Sequence, residues 1–504
     1  MNHKKDSLIH KFLSFIERAG NHLPHPAFLF FFLTLILILT SFVTELMDLS
    51  VTHPINGSIL RPVNLLSSKG LRIIIEDMVK NFSGFTPLGT VIVSLLGFSF
   101  AEKSGLIPTL VKALVLKSPK NILIPMIFTA AIMSHMAGEV GYLLIPLGAM
   151  AFHKRGLHPL AGIAASFAGV AGGFSANFLI STVDTLTSGI SQEAARIIHK
   201  SYTVTPVSNW YFMFFSSFLV IGVGSLITKK VILPYLGDYE GEVPQEEMST
   251  LTGEEFSALK KSGLVFLGFV FFLILGLLPQ SGFLRDPENP GILNSSLIKG
   301  TPGMIFFLGS LTGMTFGFSM GTFKTKKDLI KTMEEAMITL TPYMVMAFFA
   351  SQFIALFNHS NLGFILALKG SSVLKTLNLG PIPLMLGLIL LSVFLDLFIG
   401  SASAKWMIMA PIFVPMFMLL GISPELTQTS YRIADSVGNI LTPLMPYFPL
   451  ILSFAHKYDP KLGTGSLIAL MVPYSLGFLI FWTIMLFFWM TMGWPLGPGA
   501  ALFY

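Results

Sequence analysis

Long apolar runs separated by short polar segments make up most of the chain. Several runs approach the roughly 20 residues that a helix needs to cross a bilayer. They are continuous rather than alternating, which excludes a transmembrane β-barrel. The clearest spans are predicted at 27–46, 85–100, 210–227, 262–278, 303–320, 337–357 and 471–492. The pattern therefore predicts an all-α polytopic membrane protein.

Composition supports this fold class. Hydrophobic residues make up 53% of the chain and charged residues 12%, whereas soluble domains carry about twice that share of charge. Cysteine is absent, which excludes disulfides and thiol chemistry. The net charge of +6 reflects the Lys and Arg that membrane proteins collect in cytoplasmic loops. We expect the lipid bilayer as a partner and no nucleic acid.

Charge along the chain predicts its orientation. Four basic residues precede the first span and place the N-terminus in the cytoplasm, namely Lys4, Lys5, Lys11 and Arg18. The segment that carries them is too long and too polar to be a cleaved signal peptide. The acidic stretch 238–255 lies between two Lys-Lys pairs, so it is predicted to be a cytoplasmic linker.

The two halves of the chain repeat at an offset of 265 residues. Pro146, Gly156, Pro159 and Gly173 align with Pro411, Gly421, Pro424 and Gly438. Each unit consists of a polar turn, a re-entrant apolar limb, a Gly-x-x-Pro turn and a broken helix. Inverted repeats with broken helices are typical of secondary transporters. We predict a first repeat at 1–236 (hairpin and broken helix at about 136–188), a linker at 237–261, and a second repeat at 262–504 (hairpin and broken helix at about 400–449).

Residues 399–449 combine charged side chains with an apolar background and several Pro and Gly residues. Polar groups at bilayer depth usually face a partner or a water-filled cavity, and broken backbone there needs protein or solvent to satisfy it. Arg432 and Asp435 are three residues apart and can pair on one helix face. The planar guanidinium of Arg is also well suited to bind a substrate carboxylate. Lys405 belongs to this cluster or extends to the interface.

Trp406 lies one turn beyond Ser403 on the predicted limb. It could stack on an aromatic ligand, although an interfacial tryptophan is the commoner interpretation. The polar neighbours Ser401, Ser403 and Lys405 favour a ligand site.

Asp184 lies eleven residues after Gly173. Its carboxylate could carry a proton or bind a cation, and the alternative is a helix end at the interface. Asparagine oxygens and unwound backbone carbonyls could complete a cation site. The predicted ion-coupling residues are Asp184, Asn177, Asp435 and Asn439, and both H⁺ and Na⁺ fit them.

Motifs for other chemistries are absent from the sequence. It has no GxxxxGK[ST] phosphate loop and no HExxH, so we expect no ATP-driven pump, no metal centre, no cofactor and no enzyme. An ion channel is an alternative from another class. A membrane-embedded hydrolase using Asp184 and Asp435 is another, but no GxSxG motif supports it.

Four segments resemble the AbgT family of p-aminobenzoyl-glutamate transporters, and the similarity covers essentially the whole chain. They are LPHPAFLFF, GFSANFLISTVDTL, GSASAKWMIMAPIFVPMFMLLG and YRIADSVGNILTPLMPYFPL. The resemblance implies a homodimer in the inner membrane, with about nine spans and two re-entrant hairpins per protomer. It also implies an elevator-like movement of a transport domain, as in other ion-coupled anion transporters.

The resemblance further implies a function. Members of the family are linked to uptake of p-aminobenzoyl-glutamate, a folate breakdown product, and to export of sulfonamide antimetabolites. The family's functional positions match at Asp184, Ser403, Trp406, Pro424, Arg432, Asp435 and Pro443. We therefore expect an ion-coupled secondary transporter of p-aminobenzoyl-glutamate, with efflux of sulfonamide-type drugs as the alternative. In this interpretation Arg432 holds a carboxylate, Trp406 stacks on the ring, and Ser403 bonds the amide.

Overall fold

A computed structural model describes residues 26–52, 59–116, 118–134, 144–241, 251–442 and 448–504. Within these ranges the chain is almost wholly helical, and its strands are two antiparallel two-residue segments, β1 (Val51–Thr52) and β2 (Ile59–Leu60). The prediction of an all-α protein is confirmed. The basic N-terminal segment, the start of the first hairpin, residues 242–250 of the acidic linker and Pro443 lie outside the described residues.

The helices that precede the linker are α1 (Pro26–Leu46), α2 (Ser68–Glu76), α3 (Met78–Ser83), α4 (Thr86–Lys103), α5 (Leu106–Leu116), α6 (Leu123–Ser134), α7 (Leu144–His153), α8 (Pro159–Gly172), α9 (Thr182–Ala195), α10 (Trp210–Ile227) and α11 (Leu233–Leu236). A 3₁₀ turn, Lys120–Ile122, leads into α6. A π-helical turn, Thr228–Ile232, joins α10 to α11.

The helices that follow the linker are α12 (Gly253–Leu277), α13 (Ser296–Lys299), α14 (Thr301–Met320), α15 (Lys326–His359), α16 (Leu362–Thr376), α17 (Pro381–Asp396), α18 (Ala402–Met418), α19 (Pro424–Asn439), α20 (Phe448–His456) and α21 (Thr464–Met492). A 3₁₀ turn, Ile292–Asn294, precedes α13.

Six of the described helical segments are long and apolar enough to cross a membrane: α1, the continuous α10–α11 segment, α12, α14, α15 and α21. Two further spans result if each bent pair is taken as one, α4 with α5 (60° bend) and α16 with α17 (120° bend). The polytopic architecture is therefore confirmed, whereas the count of about nine spans stays a prediction.

Several predicted boundaries differ from the structure. The helices that contain the spans predicted at 337–357 and 471–492 begin earlier, at Lys326 and Thr464. The helix predicted at 85–100 ends at Lys103, and α5 follows it after a 60° bend next to Gly105, whose φ is +89°. The span predicted to start at Ser262 starts at Gly253 instead. There the side chain of Thr252 accepts from the amide of Glu255, and the Glu255 carboxylate accepts from the amide of Thr252. This capping box begins the helix within the stretch predicted to be linker.

The 265-residue repeat is visible in backbone geometry. Gly156 and Gly421 occupy equivalent turns and have positive φ values of 70° and 80°. In both turns the amide that follows the glycine donates to the carbonyl five residues earlier, at 2.9 Å. A new helix then starts at the equivalent prolines, Pro159 and Pro424. Both turns need a residue that adopts a left-handed conformation without a Cβ clash, and this explains the matched glycines.

The first repeat packs α7 tightly against α8. A Cβ added at Gly162 would lie 2.7 Å from the carbonyl carbon of Gly148. Small residues therefore let the two backbones meet directly, as in other membrane helix pairs. Every residue of α8 is buried.

The described helices divide into a centre and a periphery. In α8 and α19 all residues are buried, whereas only 22% and 11% of the most apolar windows of α1 and α12 are buried within the protein. The exposed apolar side chains of the peripheral helices are suited to lipid contact. The two broken repeats thus lie at the centre, where the polar residues collect.

Candidate functional site

Helix α19 is polar and yet completely buried. Ten of its 16 residues carry polar side chains, and each buried polar atom needs a hydrogen-bond partner or an ion pair. The helix begins at Pro424, and the Ser423 side chain caps it by accepting from the amide of Leu426 at 3.1 Å. Its position gives Pro424 a role in starting this helix. The partners of α19 define the candidate site.

The first repeat contributes an unwound segment beside α19. Helix α8 ends at Gly172 and α9 starts at Thr182, so the predicted break in the helix of the first repeat is confirmed. Asp184 lies in the first turn of α9. Its Oδ2 accepts from the amide and the hydroxyl of Ser181, at 2.7 and 2.8 Å, and from Asn177 Nδ2 at 2.5 Å. This side chain is buried rather than interfacial.

Arg432 joins the two repeats. Its Nη1 donates to Asp184 Oδ1 at 2.7 Å, and its Nη2 donates to the carbonyl of Ser175 at 2.9 Å. In return, the amide of Ser175 donates to the hydroxyl of Ser436 at 3.0 Å. The alternative in which Arg432 pairs with Asp435 is wrong, because the guanidinium extends out of α19 into the break of the first repeat.

Asp435 pairs with Lys405 instead. Lys405 Nζ lies 2.9 Å from Asp435 Oδ1 and also contacts Asp396 Oδ1. Lys405 is 0% exposed, so the alternative in which it extends to the interface is wrong. Asn439 Nδ2 donates to the second oxygen of Asp435 at 3.2 Å. A buried ammonium therefore lies between two buried carboxylates.

Asp396 was not among the residues selected from the sequence. It is the last residue of α17 and is 1% exposed. The signal was present, since an ionisable residue inside an apolar run such as LLSVFLDLFIG is a functional candidate. A Cβ added at Gly438 would collide with the Asp396 side chain, so glycine is required for α17 and α19 to meet here.

Trp406 stacks on Tyr431. The ring centroids lie 4.3 Å apart at an interplanar angle of 21°. The indole N–H donates to the hydroxyl of Ser191 at 3.0 Å and to the carbonyl of Thr187 at 3.3 Å. One face of the Trp406 ring, which was predicted to stack on a ligand, is thus occupied by the Tyr431 side chain.

Ser403 is partly buried, and its hydroxyl lies 3.2 Å from the Ser401 hydroxyl.

A hydrogen-bond chain that sequence reasoning missed extends the site along α19. Ser191 donates to Gln428 at 2.6 Å, Gln428 donates to Asn209 at 2.6 Å, and Asn209 donates to the carbonyl of Glu425 at 3.0 Å. Tyr202 donates to the carboxylate of Glu425 at 2.9 Å. These contacts fix α9 and α10 against α19, and no spacing in the sequence connects them.

The charges of the site nearly balance. Three carboxylates (Asp184, Asp396, Asp435) face two cations (Lys405, Arg432), and all five are at most 2% exposed. One negative charge is in excess when all five groups are ionised. Buried charges of this kind persist only when they are paired.

Some buried oxygens near Asp184 have no hydrogen-bond partner among the described residues. They are Asn177 Oδ1 and Ser175 Oγ. Carboxylate and neutral oxygens together form the donor set of hard cations. No group of three or more His, Cys, Asp or Glu side chains suited to a metal ion occurs in the described part of the chain.

The predicted site residues Asp184, Asn177, Trp406, Arg432, Asp435, Asn439 and Pro424 thus lie on or beside α19, in three connected clusters. Ser403 lies one helical turn from Trp406 on α18. Pro443 is outside the described residues, so its predicted place among the functional residues stays a prediction.

Comparisons with known proteins agree with this architecture. The chain is 40% identical over 490 residues to the p-aminobenzoyl-glutamate transport protein of Escherichia coli (strain K12), covering 97% of this chain and 96% of the relative. The structure of the Alcanivorax borkumensis YdaH transporter matches with a TM-score of 0.90 at 40% identity, over 94% of this chain and 100% of that one. Neisseria gonorrhoeae MtrF, described with a class of antimetabolite efflux pumps, matches with a TM-score of 0.92 at 43% identity, over 97% and 100%.

These findings confirm the resemblance that the motifs indicated, and with it a transporter rather than an enzyme. Residues 11–504 match the AbgT putative transporter family, and the chain belongs to this family of multi-pass membrane proteins.

Proposed function

We propose that this protein is a secondary active transporter of p-aminobenzoyl-glutamate, an aryl-amide dicarboxylate, driven by an ion gradient. The name of the Escherichia coli relative, with 40% identity over nearly the whole chain, supports the substrate class. The observation that carries the mechanism is the buried Arg432, which extends from α19 to Asp184 at the break of the first repeat. We further propose an inner-membrane homodimer with a cytoplasmic N-terminus.

Arg432 is the group that recognises a substrate carboxylate. A guanidinium binds carboxylates through two parallel N–H bonds, and here its two Nη atoms bind Asp184 and the Ser175 carbonyl. A substrate carboxylate competes with the Asp184 carboxylate for the same donors. Substrate binding therefore exchanges an internal anion for an external one.

This exchange links substrate binding to a cation. An Asp184 carboxylate displaced from Arg432 would be left as a buried, unpaired anion, which is strongly unfavourable. A proton or a Na⁺ ion that neutralises Asp184 removes this penalty. The oxygens of Asn177 and Ser175 that lack hydrogen-bond partners are available beside it. Cation and substrate thereby favour each other's binding, which is the requirement for coupled transport.

The aromatic ring and the amide of the substrate are assigned to α18. Trp406 offers an indole whose N–H and one ring face are already fixed. Such a ring is preorganised for stacking on a second aromatic group. Ser403 lies one turn earlier on the same helix and supplies a hydroxyl for the amide.

The buried state of the site supports alternating access. All five charged groups are closed off from solvent in this conformation, so substrate reaches them only after a conformational change. The broken helices at the repeats are where such movement is accommodated in transporters. We propose that this movement is elevator-like.

Efflux of antimetabolite drugs is the second candidate. It is favoured by the likeness to MtrF at 43% identity. Sulfonamides share with p-aminobenzoyl-glutamate an aromatic ring and a polar or anionic group, so the same site serves both. The two functions differ in direction.

A cell-based test separates import from export. Import supports growth of a p-aminobenzoate auxotroph on p-aminobenzoyl-glutamate, whereas export raises sulfonamide tolerance. Arg432→Ala should abolish whichever activity the wild type shows. Arg61→Ala is the matched control, because the Arg61 side chain is exposed and forms a surface salt bridge with the exposed Asp48. Equal growth of wild type and Arg432→Ala, at equal membrane levels, would contradict the assignment of Arg432.

A further inference from the structure

Lys405 lies in an environment that would suit a bound monovalent cation. Its Nζ contacts one oxygen of Asp396 and lies 2.9 Å from an oxygen of Asp435. The Tyr431 ring lies under the ammonium, 5.2 Å from Nζ to the centroid. The Tyr431 hydroxyl donates to Asp435 at 3.4 Å. The ammonium is therefore surrounded by anionic oxygens and an aromatic face, both of which attract cations.

Helix ends add to the attraction. Asp396 is the last residue of α17, and Asp435 and Asn439 lie in the last turn of α19. The C-terminus of a helix carries a partial negative charge from its unsatisfied carbonyls. Two such ends converge on the Lys405 ammonium. Converging half-helix ends of this kind coordinate coupling cations in other transporters.

Asp396 has no other compensation for its charge. Its Oδ2 is buried and has no hydrogen-bond partner among the described residues. The carboxylate approaches α19 at Gly438, where a Cβ would occupy the same space. The absence of a side chain at Gly438 therefore makes room for Asp396 as a second buried carboxylate near Asp435, and the Lys405 ammonium balances its charge. Removal of that cation would leave two unpaired anions side by side.

We propose that the Lys405 ammonium is a tethered cation that fills a Na⁺-type site formed by the carboxylates of Asp396 and Asp435, with the Asn439 amide holding Asp435 in place. Lysine suits this role because its ammonium is a compact point charge on a flexible stem. Na⁺ is excluded from this site in the wild type, so Asp435 and Asn439 do not bind the coupling ion. Among the predicted ion-coupling residues this leaves Asp184 and Asn177. Only this last consequence rests on the proposed transport function.

The test is Na⁺ binding to purified protein, which does not depend on transport. We would compare wild type, Lys405→Met and the double variant Asp396→Asn/Lys405→Met. The double variant retains one carboxylate, so it folds without two facing unpaired anions. Lys375→Met is the control, since Lys375 is exposed. Equilibrium binding of radioactive Na⁺ and the melting temperature in NaCl against choline chloride are measured at constant ionic strength.

The expected result is one additional Na⁺ bound per protomer in each Lys405 variant. It should be accompanied by a saturable rise in melting temperature, specific for Na⁺, that exceeds any rise in the wild type or in Lys375→Met, because a ligand bound only to the native state stabilises it. Na⁺ stoichiometry and melting-temperature shifts equal to those of the wild type in both variants would overturn the proposal. The single variant Asp396→Asn completes the series. If the wild type shows a Na⁺ effect that Asp396→Asn loses, the wild-type site already binds Na⁺, and this would also overturn the proposal.

Discussion

Arg432 and Asp184 form an ion pair of 2.7 Å although 248 residues separate them in the chain. Asp184 follows the break of the first repeat and Arg432 lies in the middle of α19 in the second, so this contact joins the two halves of the protein at their centre. The same guanidinium also holds the Ser175 carbonyl in the unwound segment. The pair is therefore both a structural link and the proposed substrate switch, and the two roles can be separated by mutation.

Removing one member of this pair should destabilise the protein. Arg432→Ala leaves Asp184 as a buried carboxylate without its cation, which costs about 3–5 kcal/mol. The double variant Arg432→Leu/Asp184→Leu removes both charges and should recover most of that stability while staying inactive in transport. Melting temperature and substrate uptake, measured on the same preparations, check both statements. Recovery of transport in the double variant would show that the pair has no role in substrate binding.

Gly438→Ala should disturb the contact between α17 and α19. The added Cβ would overlap the Asp396 side chain, and overpacking of this kind costs about 1–3 kcal/mol. Gly387→Ala is the control, because nothing lies within 4 Å of the position that its added Cβ would take; it should be neutral or slightly stabilising. Thermal unfolding of both variants checks the prediction. Equal melting temperatures of Gly438→Ala and Gly387→Ala would contradict it, because α17 would then move away from α19 without loss of stability.

Trp406→Phe and Trp406→Ala should differ in their effects. Phenylalanine keeps an aromatic ring against Tyr431 but loses the N–H bonds to Ser191 and Thr187, so we expect a loss of about 1–3 kcal/mol. Alanine also leaves a cavity and should cost about 3–5 kcal/mol. If Trp406 stacks on the substrate ring, both variants should also have a higher KM for p-aminobenzoyl-glutamate than the wild type. The control is Trp494→Phe, at an exposed position, and an unchanged KM in Trp406→Ala would refute the stacking role.

His158 gives the first repeat a pH-dependent cap. It lies in the turn before α8, and its Nδ1 accepts from the amide of Leu160 at 3.2 Å, so only the neutral imidazole can cap the helix. Burial lowers the pKa of His158 from its usual 6.5, and the charge of Asp459 opposes this only in part. The unfolded chain then binds the proton more readily, so the stability from this group falls as pH decreases below 6.5.

The equivalent position in the second repeat holds Ser423, a cap that does not titrate in this range. His158→Ser should therefore keep the cap and reduce the loss of melting temperature between about pH 8 and about pH 5. His199→Ser, at an exposed position, is the control. A pH dependence identical to that of the wild type would show that His158 remains neutral throughout.

The repeat could be predicted because its signals are local. A left-handed glycine and a proline that starts a helix follow directly from residue type, so Gly156, Pro159 and their equivalents indicate both turns from the sequence alone. The polar character of α19 likewise indicated a site. Residue type alone was sufficient for both conclusions.

The partners within the site could not be predicted in this way. Spacing on one helix suggested that Arg432 pairs with Asp435, but tertiary packing places Asp184 and Lys405 closer to the two groups. Which of several buried charges pair depends on how separate helices cross, and a single sequence does not encode that crossing locally. Asp396 was not selected because it stands alone in an apolar run. An ionisable residue inside such a run is, however, itself an indication of a functional role.

The central claim is tested most directly by accumulation of radiolabelled p-aminobenzoyl-glutamate in proteoliposomes under an imposed pH or Na⁺ gradient. The account predicts gradient-dependent accumulation above equilibrium in the wild type and in Arg61→Ala, and its loss in Arg432→Ala. Accumulation above equilibrium also excludes a channel. Equal accumulation in wild type and Arg432→Ala, or none in the wild type under either gradient, would contradict the account.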